Sequence, residues 1–134
     1  MSRTLVLLAL CLSPAALLAQ GAPVPARIPS GAYRVVPDPT AALGVDVSAF
    51  VLRFEGDSSL VVEQGGMLLT RARVQVAGDE VTWTDLDGQM VCPGQARYKL
   101  TLSDDRRTLR LTPVTDGCAE RSMVVSQVSL VRQP

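Results

Sequence analysis

Ala96-Arg97-Tyr98-Lys99-Leu100-Thr101-Leu102, then Ser103-Asp104-Asp105-Arg106-Arg107, then Thr108-Leu109-Arg110-Leu111-Thr112-Pro113-Val114 carry the clearest pattern in the chain. In an extended chain, successive side chains point to opposite faces. Tyr98, Leu100 and Leu102 therefore share one face, and Arg97, Lys99 and Thr101 the other. A polar turn reverses the chain at Ser103 to Arg107. Leu109 and Leu111 then resume the inward face, against Arg110 and Thr112 outside. Alternation, turn, alternation is the pattern of a half-buried antiparallel hairpin.

Working outward, the same unit recurs. Val81 to Asp85 places Val81 and Trp83 inward, after a tight turn at Ala77-Gly78-Asp79-Glu80 where glycine supplies the positive φ. Met67 to Val76 alternates Thr70, Ala72, Val74 and Val76 with Leu69, Arg71, Arg73 and Gln75. Val47 to Glu55 puts Phe50, Leu52 and Phe54 on one face, and Gly56-Asp57-Ser58 turns it into Ser59 to Glu63. Gly31 to Val36 opens the series and stops at Pro37-Asp38-Pro39. A last strand falls within Ser122 to Arg132. No window keeps helical spacing, and Thr40 to Phe50 has room for one short turn. The result is an all-β chain of eight strands joined mostly by tight turns. It predicts an eight-stranded antiparallel up-and-down β-barrel over residues 31–134, with a β-sandwich as the alternative. Closure into a barrel also removes exposed strand edges.

Upstream of the barrel the chain has a different character. Arg3 precedes a short apolar run, Leu5 to Leu12, and small residues follow around Ala19 to Gly21. That reads as a secretory signal peptide over residues 1–21, its apolar run too short to span a membrane. Cys11 lies inside it, preceded by Leu10 rather than the small residue that a lipid anchor calls for, so no membrane anchor is expected. Residues 22–30, with Pro23, Pro25 and Pro29, read as a Pro-rich leader. The chain is then exported, to a periplasmic or extracellular compartment.

Two cysteines remain beyond the signal segment, Cys92 and Cys118. An even number in an exported chain favours a disulfide. In a meander, the connections after the fifth and seventh strands lie at the same end, one hairpin apart, so a bond between them is geometrically natural. Around them stand Asp85, Asp87, Asp116 and Glu120 with Arg97 and Arg121. Pairing of Asp85 or Asp116 with Arg121 would lock the two cysteine loops together. The alternative is a set of separate solvated charges.

The composition excludes much. The 13 basic and 13 acidic residues balance, with no basic patch, so nucleic acid is not an expected partner. There is no histidine, hence no serine–histidine or cysteine–histidine catalytic pair and no imidazole metal site. Asp85-Leu86-Asp87-Gly88 lacks the further spaced oxygen ligands of a calcium loop. No cofactor, metal or enzymatic activity is expected, and oligomeric state is not legible.

On Gly31-Ala32-Tyr33, Val81 to Asp85 with Gly88, Cys92-Pro93-Gly94, Tyr98, Leu109 to Val114, Asp116, Cys118 and Arg121, the chain resembles small exported lipocalin-like, calycin-type β-barrels of bacteria. The resemblance covers roughly residues 31–132. It implies a ligand carried inside the barrel and a closing contact between first and last strands. Here that contact would be Tyr33, standing where lipocalins have tryptophan, with Arg132 stacked on its ring. A single tryptophan and no asparagine speak against an avidin-like biotin site. The expected ligand is small and apolar, held by Phe50, Leu52, Phe54, Trp83, Tyr98 and Leu100. The competing expectation is a filled core in a structural or interaction module, and a cavity with aliphatic walls separates the two.

Overall fold

The computed structural model describes residues 27–134; the signal segment, Cys11 and residues 22–26 of the leader lie outside the described residues. The strands are β1 (Gly31–Pro37), β2 (Phe50–Glu55), β3 (Ser59–Gln64), β4 (Met67–Ala77), β5 (Glu80–Gly88), β6 (Gln95–Leu102), β7 (Thr108–Thr115) and β8 (Val128–Arg132). One helix, α1 (Ala119–Val125), stands between β7 and β8. Each strand pairs antiparallel with the next, and β8 returns to β1 with Tyr33 opposite Arg132. The sheet is a closed eight-stranded up-and-down barrel, not a sandwich.

The predicted alternation fills the interior. Leu52 and Phe54, Val81 and Trp83, Tyr98 and Leu100, and Leu109 and Leu111 are all buried. The barrel has two unlike ends. Short turns at 56–58, 78–79 and 103–107 form one, and this end is packed. Tyr33 meets Phe54 edge to face at 5.4 Å between ring centres. Leu60, Val74, Val81 and Leu109 close around them, fully buried. The plug is Ile28, 2% exposed, whose backbone N–H donates to Asp57 Oδ1 at 3.1 Å. The end of the leader is thus part of the fold. Connections 38–49, 65–66, 89–94 and 116–127 gather at the opposite end.

Three departures from the alternation have identifiable causes. β2 begins at Phe50 and not Val47, because Asp46 captures the Ser48 N–H and the Phe50 N–H turns back to the Val47 carbonyl. β5 runs on to Gly88, because bulges absorb the extra residues. Leu69, Leu86 and Val114 are the residues skipped in the β3–β4, β4–β5 and β6–β7 ladders. All three lie toward the open end, where bulges commonly splay barrel rims. The first turns Leu69 inward, 6% exposed, where strict alternation would face it outward. Gly88 is required there: a Cβ on it would stand 2.3 Å from the Leu69 carbonyl oxygen, at φ +132°.

The helix is the third departure. Val124 and Val125 give this segment a strand-like composition. It forms a helix because tertiary anchors hold its first turn. Cys118, its N-cap residue, is bonded to Cys92, and Arg121 is fixed between two buried carboxylates. Glu120 in the first turn suits the helix dipole. No helix among the described residues is long and apolar enough to cross a membrane.

Candidate functional site: a cavity open at one end of the barrel

The open end leads into a cavity of about 960 Å³. Its walls come from the inward residues near the mouth, among them Val35, Phe50, Leu52, Val62, Trp83, Leu111, Val128 and Leu130. Its upper rim comes from three connections. The 38–49 segment contributes Val45 and Asp46, the 89–94 loop Gln89 to Cys92, and α1 Glu120, Arg121 and Met123 to Val125. The loops are tied down. Thr70 donates its hydroxyl to the Met90 carbonyl, and the Met90 N–H donates to the Leu69 carbonyl at 2.9 Å. Gln127 holds the 38–49 segment through the Ala42 and Asp38 amides.

Of the residues expected to hold a ligand, Phe50, Leu52 and Trp83 line this cavity. Phe54, Tyr98 and Leu100 do not. Phe54 and Leu100 belong to the packed end closed by Ile28, and Tyr98 turns its hydroxyl to Asp116. A barrel sealed at one end divides its inward residues into a packed half and a walled half, and alternation alone cannot assign the division. Leu69 and the loop and helix residues were not legible as wall, because they depend on a bulge and on the connections.

Tyr33 and Arg132 face each other on β1 and β8, but the stacked arrangement is absent. The Arg132 guanidinium donates to the Ser30 carbonyl at 2.7 Å and lies against Gly31, while the Tyr33 hydroxyl donates to the Pro29 carbonyl at 2.7 Å. Both side chains thus fasten the leader across the packed end. Among the described residues, the arginine over an aromatic ring is Arg121, 5.5 Å above Trp83, at the other end.

Arg121 is the centre of a buried polar network in the cavity wall. Its Nε and Nη2 donate to both oxygens of Asp116, at 2.9 and 2.8 Å, and its Nη1 donates to Asp85 Oδ2 at 2.8 Å. The three side chains are 10%, 0% and 2% exposed. Asp85 also accepts from Trp83 Nε1 at 2.5 Å and from the Cys92 N–H at 2.8 Å. Asp116 accepts from the Tyr98 hydroxyl and from the Cys118 N–H at 2.9 Å. Each carboxylate therefore holds one cysteine loop, and the arginine joins them. The Cys92–Cys118 disulfide itself, with Cα atoms 5.8 Å apart, closes the same junction covalently. Arg97, Asp87 and Glu120 stand outside this network: Arg97 pairs with Glu80, Asp87 with Arg71, and Glu120 lies on the rim.

The electrostatics follow from burial and partners. Burial pushes the Asp116 carboxyl up, but Arg121, the Tyr98 hydroxyl and the Cys118 amide outweigh it, leaving its pKa below the ordinary value. The Tyr98 phenol is pushed up, first by burial and then by its bond to Asp116. Burial alone would lower the Arg121 pKa, yet its carboxylate partners raise it. Asp85 accepts from three donors and Asp116 from four, so the network ties β5, β6, the two cysteine loops and α1 together.

The large apolar side chains that are exposed among the described residues are Val45, Met67, Leu86, Met90, Val91, Val114 and Met123. By their places in the topology, all belong to the open end. A walled cavity with an apolar rim defines the class of protein: a closed up-and-down barrel that is sealed below and open above. No family model, curated protein or solved structure matches the chain.

Proposed function

We propose that the protein is an exported, lipocalin-like carrier that holds a small apolar ligand in the open half of the barrel, without chemical transformation. The observation that carries this reading is the cavity. Its volume of about 960 Å³ lies in the range of small-ligand sites, and its walls are mainly aliphatic with Phe50 and Trp83 among them. A filled core, the competing expectation, leaves no such space. The apolar rim supports the reading, since a ligand leaving water crosses it first. The disulfide suits an oxidising, exported setting. A non-catalytic role accords with the lack of histidine and with Asp85 and Asp116 being fully engaged.

Trp83 provides the test. It is the chain's single tryptophan, and it lines the cavity. Titration with decanol should change its fluorescence saturably. At about 0.8 kcal/mol per buried CH₂, the ten-carbon chain gains roughly 8 kcal/mol before association costs. The dissociation constant should therefore fall between about a micromolar and a millimolar. Native mass spectrometry of the exported protein should show a co-purified apolar adduct. Absence of both a saturable signal and any adduct overturns the carrier reading.

A further inference from the structure

The charges on the cavity wall specify more than an apolar ligand. Four charged residues line the cavity: Asp46, Asp85, Glu120 and Arg121. The single cation among them is unavailable to an incoming anion. Arg121 spends one nitrogen on Asp85 and two on Asp116, and its face lies over Trp83. A fatty acid would have to compete with two buried carboxylates for it. The remaining two carboxylates, Asp46 and Glu120, line the cavity from exposed positions. Among the described residues, neither Asp46 nor Glu120 stands in an ion pair. Asp46 comes from the 38–49 connection and Glu120 from α1, so they reach the mouth from separate elements. Asp46 is held in place: its Oδ1 accepts from the Ser48 N–H at 2.9 Å and from the Ser48 hydroxyl at 2.6 Å. Those bonds keep its pKa below the ordinary value, so it is ionised near neutrality.

We infer that the cavity selects an amphipathic cation: a molecule whose apolar body enters between Leu52, Trp83 and Leu130 while its ammonium end stays at the mouth beside Asp46 and Glu120. The inference rests on the carrier reading and adds the sign of charge to it. The cavity is the site, and the carboxylates set what its open end accepts. An ammonium that remains at the mouth keeps part of its hydration, which avoids the penalty of burying a charge. A carboxylate-ended ligand of the same length meets two negative charges there and no free cation.

Three probes with the same ten-carbon chain separate the possibilities: decylamine, decanol and decanoate, each titrated into the intact disulfide-bonded protein near pH 7. Trp83 fluorescence reports binding, and competition against decanol shows that the site is shared. Decylamine should bind at least about tenfold more tightly than decanol, and decanoate more weakly than either, as expected for two carboxylates acting through a partly screened medium. Raising salt toward 1 M should shrink the decylamine preference, since the Debye length falls to about 3 Å. In Asp46→Asn/Glu120→Gln, the ratio of decylamine to decanol affinity should fall toward one. Equal binding of decylamine and decanol, or tightest binding by decanoate, overturns the cationic specificity while the carrier reading stands. Failure of all three to bind overturns both.

Discussion

Replacement of Arg121 by methionine isolates what the buried network contributes. The substitution keeps an unbranched apolar stem and removes the guanidinium, leaving Asp85 and Asp116 at 2% and 0% exposure without their counter-ion. Taking one partner from a buried pair costs about 3–5 kcal/mol. An exposed pair would cost about 0–1 kcal/mol. For a domain of about a hundred residues, 1 kcal/mol shifts Tm by roughly 4 °C, so Arg121→Met should lose about 12–20 °C at pH 7. The loss should also depend on pH. In the native protein, the Asp116 pKa lies below its unfolded value. Its pairing therefore stabilises above that unfolded value and is lost as pH falls through the folded one. In the variant, burial is opposed only by the Tyr98 hydroxyl and the Cys118 amide, so the folded pKa of Asp116 rises from its native position. The penalty is then full at neutral pH and disappears as the carboxyl takes up a proton in the acidic range. The Tm gap between the two proteins should narrow on acidification from pH 7 toward about pH 4. Thermal unfolding followed by circular dichroism measures both effects, and a double-mutant cycle with Asp116→Asn should give a coupling of at least about 1 kcal/mol. A loss below about 1 kcal/mol, or one independent of pH, refutes the reasoning.

Two further predictions address the ends of the barrel. Cys92→Ala/Cys118→Ala opens a loop spanning 26 residues, for which chain entropy gives about 3.5 kcal/mol as an upper figure. Denaturant unfolding should show most of that loss, and a variant as stable as the native protein would exclude the bond as a stabilising link. Ile28→Ala empties the plug of the packed end and should lose about 2–4 kcal/mol in the same assay. A loss under about 0.5 kcal/mol would show that the end of the leader does not belong to the core.

The alternation of Tyr98, Leu100, Leu109 and Leu111 was sufficient for half-buried antiparallel strands, because a period of two leaves an extended chain one face to bury. The tight turns then left consecutive strands as neighbours, and that placed Cys92 and Cys118 at one end. The helix was not legible. Val124 and Val125 carry a strand preference, and the anchors that override it come from Asp85, Cys92 and Asp116, distant in sequence. Leu69 shares its register with Arg71 and Arg73, yet is buried for a related reason. A bulge is a mismatch between two strands, and it appears only when both are paired.

The candidate site divides along the same line. Phe50, Leu52 and Trp83 were legible as inward residues and do line the cavity. That Phe54 and Leu100 are instead packing depends on which end Ile28 seals, and Tyr98 is drawn to Asp116. The strand order, most of the inward face and the placing of both cysteines at one end follow from local periodicity and chain connectivity. That the barrel is half filled, that Arg121 is spent on two buried carboxylates, and that Asp46 and Glu120 line one cavity are outcomes of the tertiary fold. They depend on how separate connections fold over one end, which no local pattern encodes.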